Sequence, residues 1–378
     1  MPSRPLHIGI EARYLFARAK TGIENYTTQL VLHLGRLPDL PPVTLYTDAP
    51  PEETDAVTAE ILRTPSLRVC VVPRRRLWLK VWLPRAARRD GVTVMHFPGS
   101  ILSLLRPYRA VTTIYDLCNV RYPMLAVGNE ARLMQGVVRK SALAATRVIA
   151  ISQATADDIA ELYGVPRERI VVTPLAPDPR FQPVPDAAAR VAARYGLRSP
   201  YLLFVGTPYP RKNLARVLDA FAQLGPAGKG VTLVIASRKE EAAAEVLARA
   251  RVLGVEEQVR FLAGVPDEEM PALFSAAQML VHPALCEGYG LTLVEAMACA
   301  TPVITANRSS MREVAGDAAL LVDPEKPGEI AGAIRRILTD PEARETCIRR
   351  GAERVAGLTW ERTARLTLDA YRAAHEGK

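Results

Sequence analysis

Aromatic residues are scarce in this 378-residue chain, where Phe, Trp and Tyr together make up 6%. No recognisable nucleic-acid module occurs, which with so few aromatics weighs against a protein that stacks bases on its side chains. Lysine is scarce too: the net charge is +9, yet only 8 of the 49 basic residues are Lys. An Arg-heavy, Ala-heavy composition of this kind reflects genome bias as readily as a polyanionic partner, so local clusters carry more than the global charge. No apolar run approaches the roughly 18 residues that span a bilayer. The start, MPSRPLHIGIEA, lacks the apolar stretch of a signal peptide and is expected to lead straight into a strand. The five cysteines (Cys70, Cys118, Cys286, Cys299 and Cys347) form no CxxC pair. An odd, scattered set points to a reducing cytoplasm rather than a disulfide scaffold. There is no GxGxxG fingerprint, no internal repeat and no low-complexity tract, so a dinucleotide site gains little support.

What is present is an alternation of short β-rich runs with helical patterns. HIGIEA (7–12), VTLYT (43–47), RVCVV (68–72), VTVMHF (92–97), AVTTIYDL (110–117), RVIAIS (147–152) and IVVTPL (170–175) read as strands. YLLFVGT (201–207), VTLVIAS (231–237), VRFLAG (259–264), MLVHPA (279–284) and PVITAN (302–307) follow in the second half. Several are continuous apolar runs, as strands buried on both faces must be. The alternation predicts parallel sheets covered by helices, an α/β class of doubly wound Rossmann-like domains. The length is too great for one ordinary core. TPLAPDPRFQPVPD (173–186) carries five prolines, which suit neither a helix interior nor a central strand, and reads as the connector. The expected domains are therefore 1–175 and 176–359, with the helical stretch 360–376 either closing the second or packing back on the first. Ser152, ahead of early turns that carry acids, is the expected N-cap of the helix that Gly164 stops. Ligands of such sheets bind beyond the carboxyl ends of the strands.

Three clusters lie at those ends. In CEGYGLTLVEAMACA (286–300), a strand passes through Gly288 and Gly290 into a helix, with a tyrosine expected at the surface between them. The glycines let the backbone approach a ligand, and the helix start offers N–H groups and a positive dipole end to a phosphate. Glu287 stands before that helix and Glu295 inside it, so two carboxylates can each accept from hydroxyl groups of one ligand. In FVGTPYPRKNLARVL (204–218), Arg211 and Lys212 sit just before a helix that Asn213 is expected to cap. Two cations there oppose the helix dipole and make better sense with a diphosphate alongside. In ARYLFARAKTGIENYTTQLVLHL (12–34), Gly22 lies in a loop between strand and helix. Each cluster taken singly also fits a plainer role: a neutralised helix start, a surface basic pair, a flexible turn.

Taken together they resemble glycosyltransferase family 4. EGYGLTLVE is similar to that family's E-x7-E element, GTPYPRKN to its phosphate-clamp loop and TGIENYT to its mobile glycine loop. The stretches 259–270 and 301–324 also read like its donor domain. The resemblance implies a GT-B fold, an acceptor domain and a donor domain across a cleft, and transfer of a sugar from a nucleotide-sugar with retention of configuration. Carried over, Arg211 and Lys212 would neutralise the donor diphosphate. Glu295 would hold the ribose. Glu287, with the backbone of Gly288, Tyr289, Gly290 and Leu291, would contact the donor sugar and phosphates. Gly22 would approach the diphosphate when the cleft closes. The base would rest near Ser237 and Val265.

Two departures stand out. Thr207 follows the clamp glycine where many members have Arg, and Tyr115 precedes Asp116 in TIYDL where many have His. Tyr115, Asp116 and His96 are the acceptor-side candidates, with a structural role equally open for His96. A phenol does not act as an imidazole base near neutrality. No D-x-D occurs, so no metal or other cofactor is expected, and the cations would stabilise the leaving diphosphate. RRRLWLKVWLPRAARRD (74–90) holds seven basic residues and two Trp. It reads either as an interfacial segment on an anionic membrane or as a helix with Trp78 and Trp82 in the core. The expected protein is a cytoplasmic hexosyltransferase, free or peripheral at the inner face of the membrane. It would use GDP-mannose in preference to a UDP-hexose, on a glycan or lipid-linked acceptor. A nucleotide-sugar epimerase of the same fold and a non-enzymatic basic nucleic-acid binder are the alternatives.

Overall fold

The computed structural model describes residues 4–17, 22–53, 55–103, 106–126 and 130–377. The chain forms two compact units: Met1–Leu175 with Thr359–Lys378, and Ala176–Leu358. The boundary falls inside the proline-rich stretch, whose missing N–H groups end the regular structure there.

The first unit is built on a seven-stranded sheet, all parallel, of β1 (Ile8–Glu11), β2 (Val43–Thr47), β3 (Leu67–Val71), β4 (Val94–Phe97), β5 (Arg109–Ile114), β6 (Arg147–Ala150) and β7 (Ile170–Val172). Their order is β3-β2-β1-β4-β5-β6-β7, so the chain reverses its direction of travel between β1 and β4. Helix Gly22–Gly35 packs against helix Trp360–Glu376. The latter buries Trp360, Ala364, Leu368 and Tyr371, a helical stripe. It is capped by Thr359, whose side chain accepts from the Arg362 N–H. Thr363 Oγ1 donates to the Pro174 carbonyl at 2.5 Å, and Arg365 and Arg372 both pair with Asp39 at 2.7 Å. These contacts fasten the end of the chain to the first unit. Ser152 caps its helix as expected, accepting from the Thr155 N–H at 3.0 Å, and Gly164 ends the helical segment in the left-handed region.

The second unit holds six parallel strands, β8 (Tyr201–Val205), β9 (Thr232–Ser237), β10 (Val259–Ala263), β11 (Met279–His282), β12 (Val303–Ala306) and β13 (Leu320–Val322). Their order is β10-β9-β8-β11-β12-β13. Leu202 and Phe204 of β8 join Leu233 and Ile235 of β9 in one buried cluster. Tyr201 and Leu203 join Val234 and Ala236 in another. Alternate residues thus feed opposite faces, the physical reason these strands read as unbroken apolar runs. The sequence gives no separate signal for β13, which has only three residues. Among the described residues no helix is long and apolar enough to cross a membrane.

Candidate active site

In the second unit the reversal of strand order lies between β8 and β11, so the segments leaving these two strands emerge side by side. Those segments are the Arg-Lys loop and the EGYG turn, far apart in sequence. After β8, Gly206 turns at φ +134°, a conformation that suits glycine. A short turn over Pro210–Lys212 follows, and Asn213 takes φ +65°. Asn213 does not cap the next helix, contrary to the sequence-based expectation. Its side chain is buried, and Nδ2 donates to the carbonyls of Pro283 at 2.9 Å and Pro324 at 2.7 Å. Its Oδ1 accepts from Arg216 at 2.9 Å. The Leu285 N–H donates to the Arg211 carbonyl at 2.8 Å. One amide therefore fastens the cationic loop to the residues beyond β11 and β13.

Arg211 and Lys212 both point to Glu287. Arg211 Nη1 lies 2.9 Å from Oε2 and Lys212 Nζ 2.5 Å from Oε1. The His282 ring, at the end of β11, places Nε2 3.6 Å from Oε1. Burial raises the cost of ionising Glu287, but Lys212, His282 and Arg211 outweigh it and hold the carboxyl well below the usual carboxylate range. The Glu287 carbonyl accepts from Ser309 at 3.1 Å and Ser310 at 2.7 Å. Gly290 begins helix Leu291–Ala298 at φ +91°, with no side chain capping it. A Cβ there would stand 2.5 Å from Met311 Cε. Tyr289 is buried, not at the surface as expected.

Glu295, one turn into that helix, is half-buried. Its carboxyl is pushed up to about 7, by burial first and then by Asp178 and Asp267, with Arg180 and Lys212 opposing. Asp178 and Arg180 come from the stretch that reads in sequence only as a connector. Ser237, the last residue of β9, is buried and accepts from the Lys239 N–H at 3.1 Å. Val265 lies half-buried at the margin of the adjoining core.

Residues 190–354 match the family described as glycosyl transferases group 1, and residues 20–181 match glycosyltransferase family 4. Over 303 residues the chain is 32% identical to O-antigen chain mannosyltransferase B of Escherichia coli, covering 79% of this chain and 77% of that one. The chain belongs to glycosyltransferase family 4. It is an enzyme, a glycosyltransferase. Its fold is GT-B, two Rossmann-like parallel-sheet domains. Sucrose-phosphate synthase from Thermosynechococcus elongatus superposes with a TM-score of 0.75 at 23% identity, covering 99% of this chain and 100% of that one. The HepE protein of Anabaena, in complex with UDP and glucose, superposes with a TM-score of 0.74 at 18% identity, covering 98% and 100%. At those identities the likeness shows the fold alone.

In the first unit of this glycosyltransferase, Gly22 begins its helix with open space around it. Residues 18–21 of the same loop lie outside the described residues. His96 is fully buried and has both ring nitrogens engaged, Nε2 with Thr113 Oγ1 at 2.8 Å and Nδ1 with the Tyr371 hydroxyl at 2.7 Å. Burial lowers its pKa to about 3. That ring has no nitrogen left to offer an acceptor, and the structural role fits it. The Tyr115 hydroxyl is buried and finds no hydrogen-bond partner among the described residues. Its ring meets Tyr26 edge-on at 5.4 Å. Asp116 Oδ1 accepts from the Cys118 N–H at 3.0 Å.

In the basic segment 74–90 the helical structure begins only at Trp78. Leu77 takes φ +63°, a wide turn runs over Trp78–Trp82, and helix Leu83–Arg89 follows with Pro84 in its first turn. Trp78 is buried and donates its indole N–H to the Val72 carbonyl at 2.6 Å. Trp82 is half-buried with the guanidinium groups of Arg75 and Arg85 over its ring. The exposed large apolar side chains lie elsewhere in greater number: Met124, Leu133, Val137 and Leu143 are exposed, among the exposed cations Arg132, Arg139 and Lys140. Composition alone does not single out that second stretch, because an amphipathic helix and a core helix share the same residue types.

Proposed function

We propose that this glycosyltransferase moves a hexose from a nucleotide-sugar to a glycan or lipid-linked acceptor, with retention and without a metal. The observation that carries the reading is the convergence of Arg211 and Lys212 on one carboxylate, Glu287, beside the uncapped start of helix Leu291–Ala298. Two cations and a helix N-terminus at the end of adjacent parallel strands suit a diphosphate leaving group. Glu287 compensates their charge in the absence of donor and faces the sugar in its presence. Glu295 accepts from the ribose, the backbone of 288–291 meets phosphates and sugar, and the base lies by Ser237 and Val265. Gly22 and Tyr115 belong to the acceptor-domain side. In the reaction the bond from the anomeric carbon to the diphosphate breaks. A bond to the acceptor hydroxyl forms on the same face, and the hydroxyl proton passes to a donor phosphate oxygen.

GDP-mannose is the preferred donor, in line with the mannosyltransferase relative. A UDP-hexose is the competing donor, as the Anabaena protein holds UDP and glucose. The first test is thermal unfolding with GDP, UDP, ADP and dTDP, each in EDTA, for wild type and Lys212→Ala. A nucleotide at about 100 times its Kd adds roughly 2.7 kcal/mol. A shift with one nucleotide, absent in Lys212→Ala, names the base and supports the clamp. No shift with any of them counts against the donor site, and binding to bulk DNA is then measured. Conversion of a nucleotide-sugar without acceptor marks the epimerase instead.

On this reading the protein works in the cytoplasm, free or in peripheral contact with the inner membrane face. Segment 74–90 supplies cations for this contact, and the exposed side chains of Leu133 and Val137 supply apolar surface. Sedimentation with anionic vesicles at low salt, reduced by Leu133→Asp with Val137→Asp, is the expected result. No pelleting at low salt rejects the contact.

A further inference from the structure

His282 is a buried ionisable side chain that the proposed reaction does not use. It ends β11, at the reversal of strand order, and has no solvent exposure. Its ring stacks on Phe204 of β8, with centroids 5.9 Å apart at 26°. Its carbonyl accepts from Thr305 Oγ1 at 2.9 Å. Neither ring nitrogen has a hydrogen-bond partner among the described residues. A buried polar atom without a partner is costly, and most native proteins avoid it. Glu287 Oε1 stands 3.6 Å from Nε2, an oxygen that Lys212 Nζ approaches to 2.5 Å. Burial first, with Lys212 and Arg211 adding to it and Glu287 opposing, lowers the pKa of His282. In either protonation state the ring has at least one N–H to give.

A donor diphosphate carries more charge than one carboxylate and competes for Lys212 and Arg211. As these cations turn to it, Glu287 is left buried with its main partners withdrawn. The unpartnered N–H of His282 sits a few tenths of an ångström beyond hydrogen-bond distance from the oxygen that Lys212 vacates. We propose that His282 is a positioning residue. Its Nε2–H takes over Glu287 Oε1 when the donor diphosphate draws Lys212 away, and so holds the carboxylate toward the donor sugar. This inference rests on the donor-site reading above. The groups that face Glu287 are Lys212, Arg211 and His282. Only His282 among them keeps Glu287 as its partner once the diphosphate is bound.

The test compares wild type, His282→Leu, His282→Gln and His282→Asn. It measures the Kd of GDP and UDP, the Kd of GDP-mannose and UDP-glucose, and kcat with the better donor across pH. Gln carries a donor nitrogen near the Nε2 position and Asn does not reach it. His282→Leu is expected to bind the nucleoside diphosphate within about threefold of wild type. It should lose at least about tenfold in kcat, the scale of one hydrogen bond to a charged group. Its acid limb should move to higher pH, because Glu287 without that N–H protonates more readily. His282→Gln should restore most of kcat and His282→Asn little. If His282→Leu does not fold, the Gln and Asn variants decide alone. Equal kcat in Gln and Asn, or a loss of diphosphate binding matching the loss of kcat, overturns the inference while leaving the donor site standing. Wild type that binds neither diphosphate nor nucleotide-sugar overturns both.

Discussion

Replacing Glu295 by Gln should stabilise the protein at alkaline pH while weakening its hold on the donor. The folded carboxyl titrates at about 7, against an ordinary value of 4.5. Between those values the folded chain keeps a proton that the unfolded chain has released, so stability falls as pH rises and levels off above about 7. At about 1.4 kcal/mol per tenfold, the full difference is about 3 kcal/mol, and partial exposure of the side chain brings the expected loss nearer 2 kcal/mol. Gln carries no such proton. Glu295→Gln should match wild type near pH 5 and unfold about 4–8 °C higher at pH 8, for a unit of this size. The ribose hydroxyls donate to the ionised carboxylate, so binding should favour that form. Wild-type affinity for the nucleoside diphosphate should rise about tenfold from pH 6 to 8, following the ionised fraction of a group near 7. The phosphate's own titration is common to both proteins, so the difference between them isolates Glu295. Differential scanning calorimetry and isothermal titration across pH 5–8 measure both effects. A pH-independent stability difference between the two proteins, or equal diphosphate affinity at pH 8, would refute the assignment.

Other outcomes follow from single contacts. Asn213→Ala removes two buried hydrogen bonds to carbonyls and puts Ala at φ +65°. It should cost about 2–4 kcal/mol in chemical denaturation and weaken diphosphate binding, because the clamp loop loses its anchor. Gly290→Ala meets Met311 Cε at 2.5 Å in a left-handed conformation. A loss of about 1–3 kcal/mol is expected, with reduced donor affinity, and unchanged donor affinity would count against a ligand at this turn. His96→Ala leaves Thr113 and Tyr371 without their shared partner and should destabilise by about 1–3 kcal/mol. In wild type the folded His96 resists protonation down to about 3 while an unfolded histidine gains a proton below about 6.5. Stability therefore drops as pH falls from 6.5, and the His96→Ala variant should lack that part of the drop.

The sequence by itself determined the class of fold and where the chemistry had to be sought. Continuous apolar runs separated by helical patterns leave parallel sheets with both faces covered as the economical solution, and such sheets bind ligands at the carboxyl ends of their strands. The boundary was legible because five prolines remove N–H groups that a sheet or helix would need. Arg211, Lys212, Glu287 and Glu295 stood out in the sequence as charged residues at strand–helix junctions, beside the turn glycines Gly288 and Gly290. Strand order decided the rest. It brought the segment after β8 beside the segment after β11, so that Arg211 and Lys212 came to share Glu287. Residues that look ordinary in sequence gained their roles only through such neighbours. Asn213 became an anchor instead of a cap, and Asp178 and Arg180 became charges around Glu295. His282 became an unpartnered donor beside a carboxylate. The reverse also held: His96, a reactive type at a strand end, was taken up by Thr113 and Tyr371. The physical reason is common to all of them. Residue type sets what a side chain can do, but burial and the distance to its partners decide its charge and its hydrogen bonds, and those distances run between segments that only the folded chain makes adjacent.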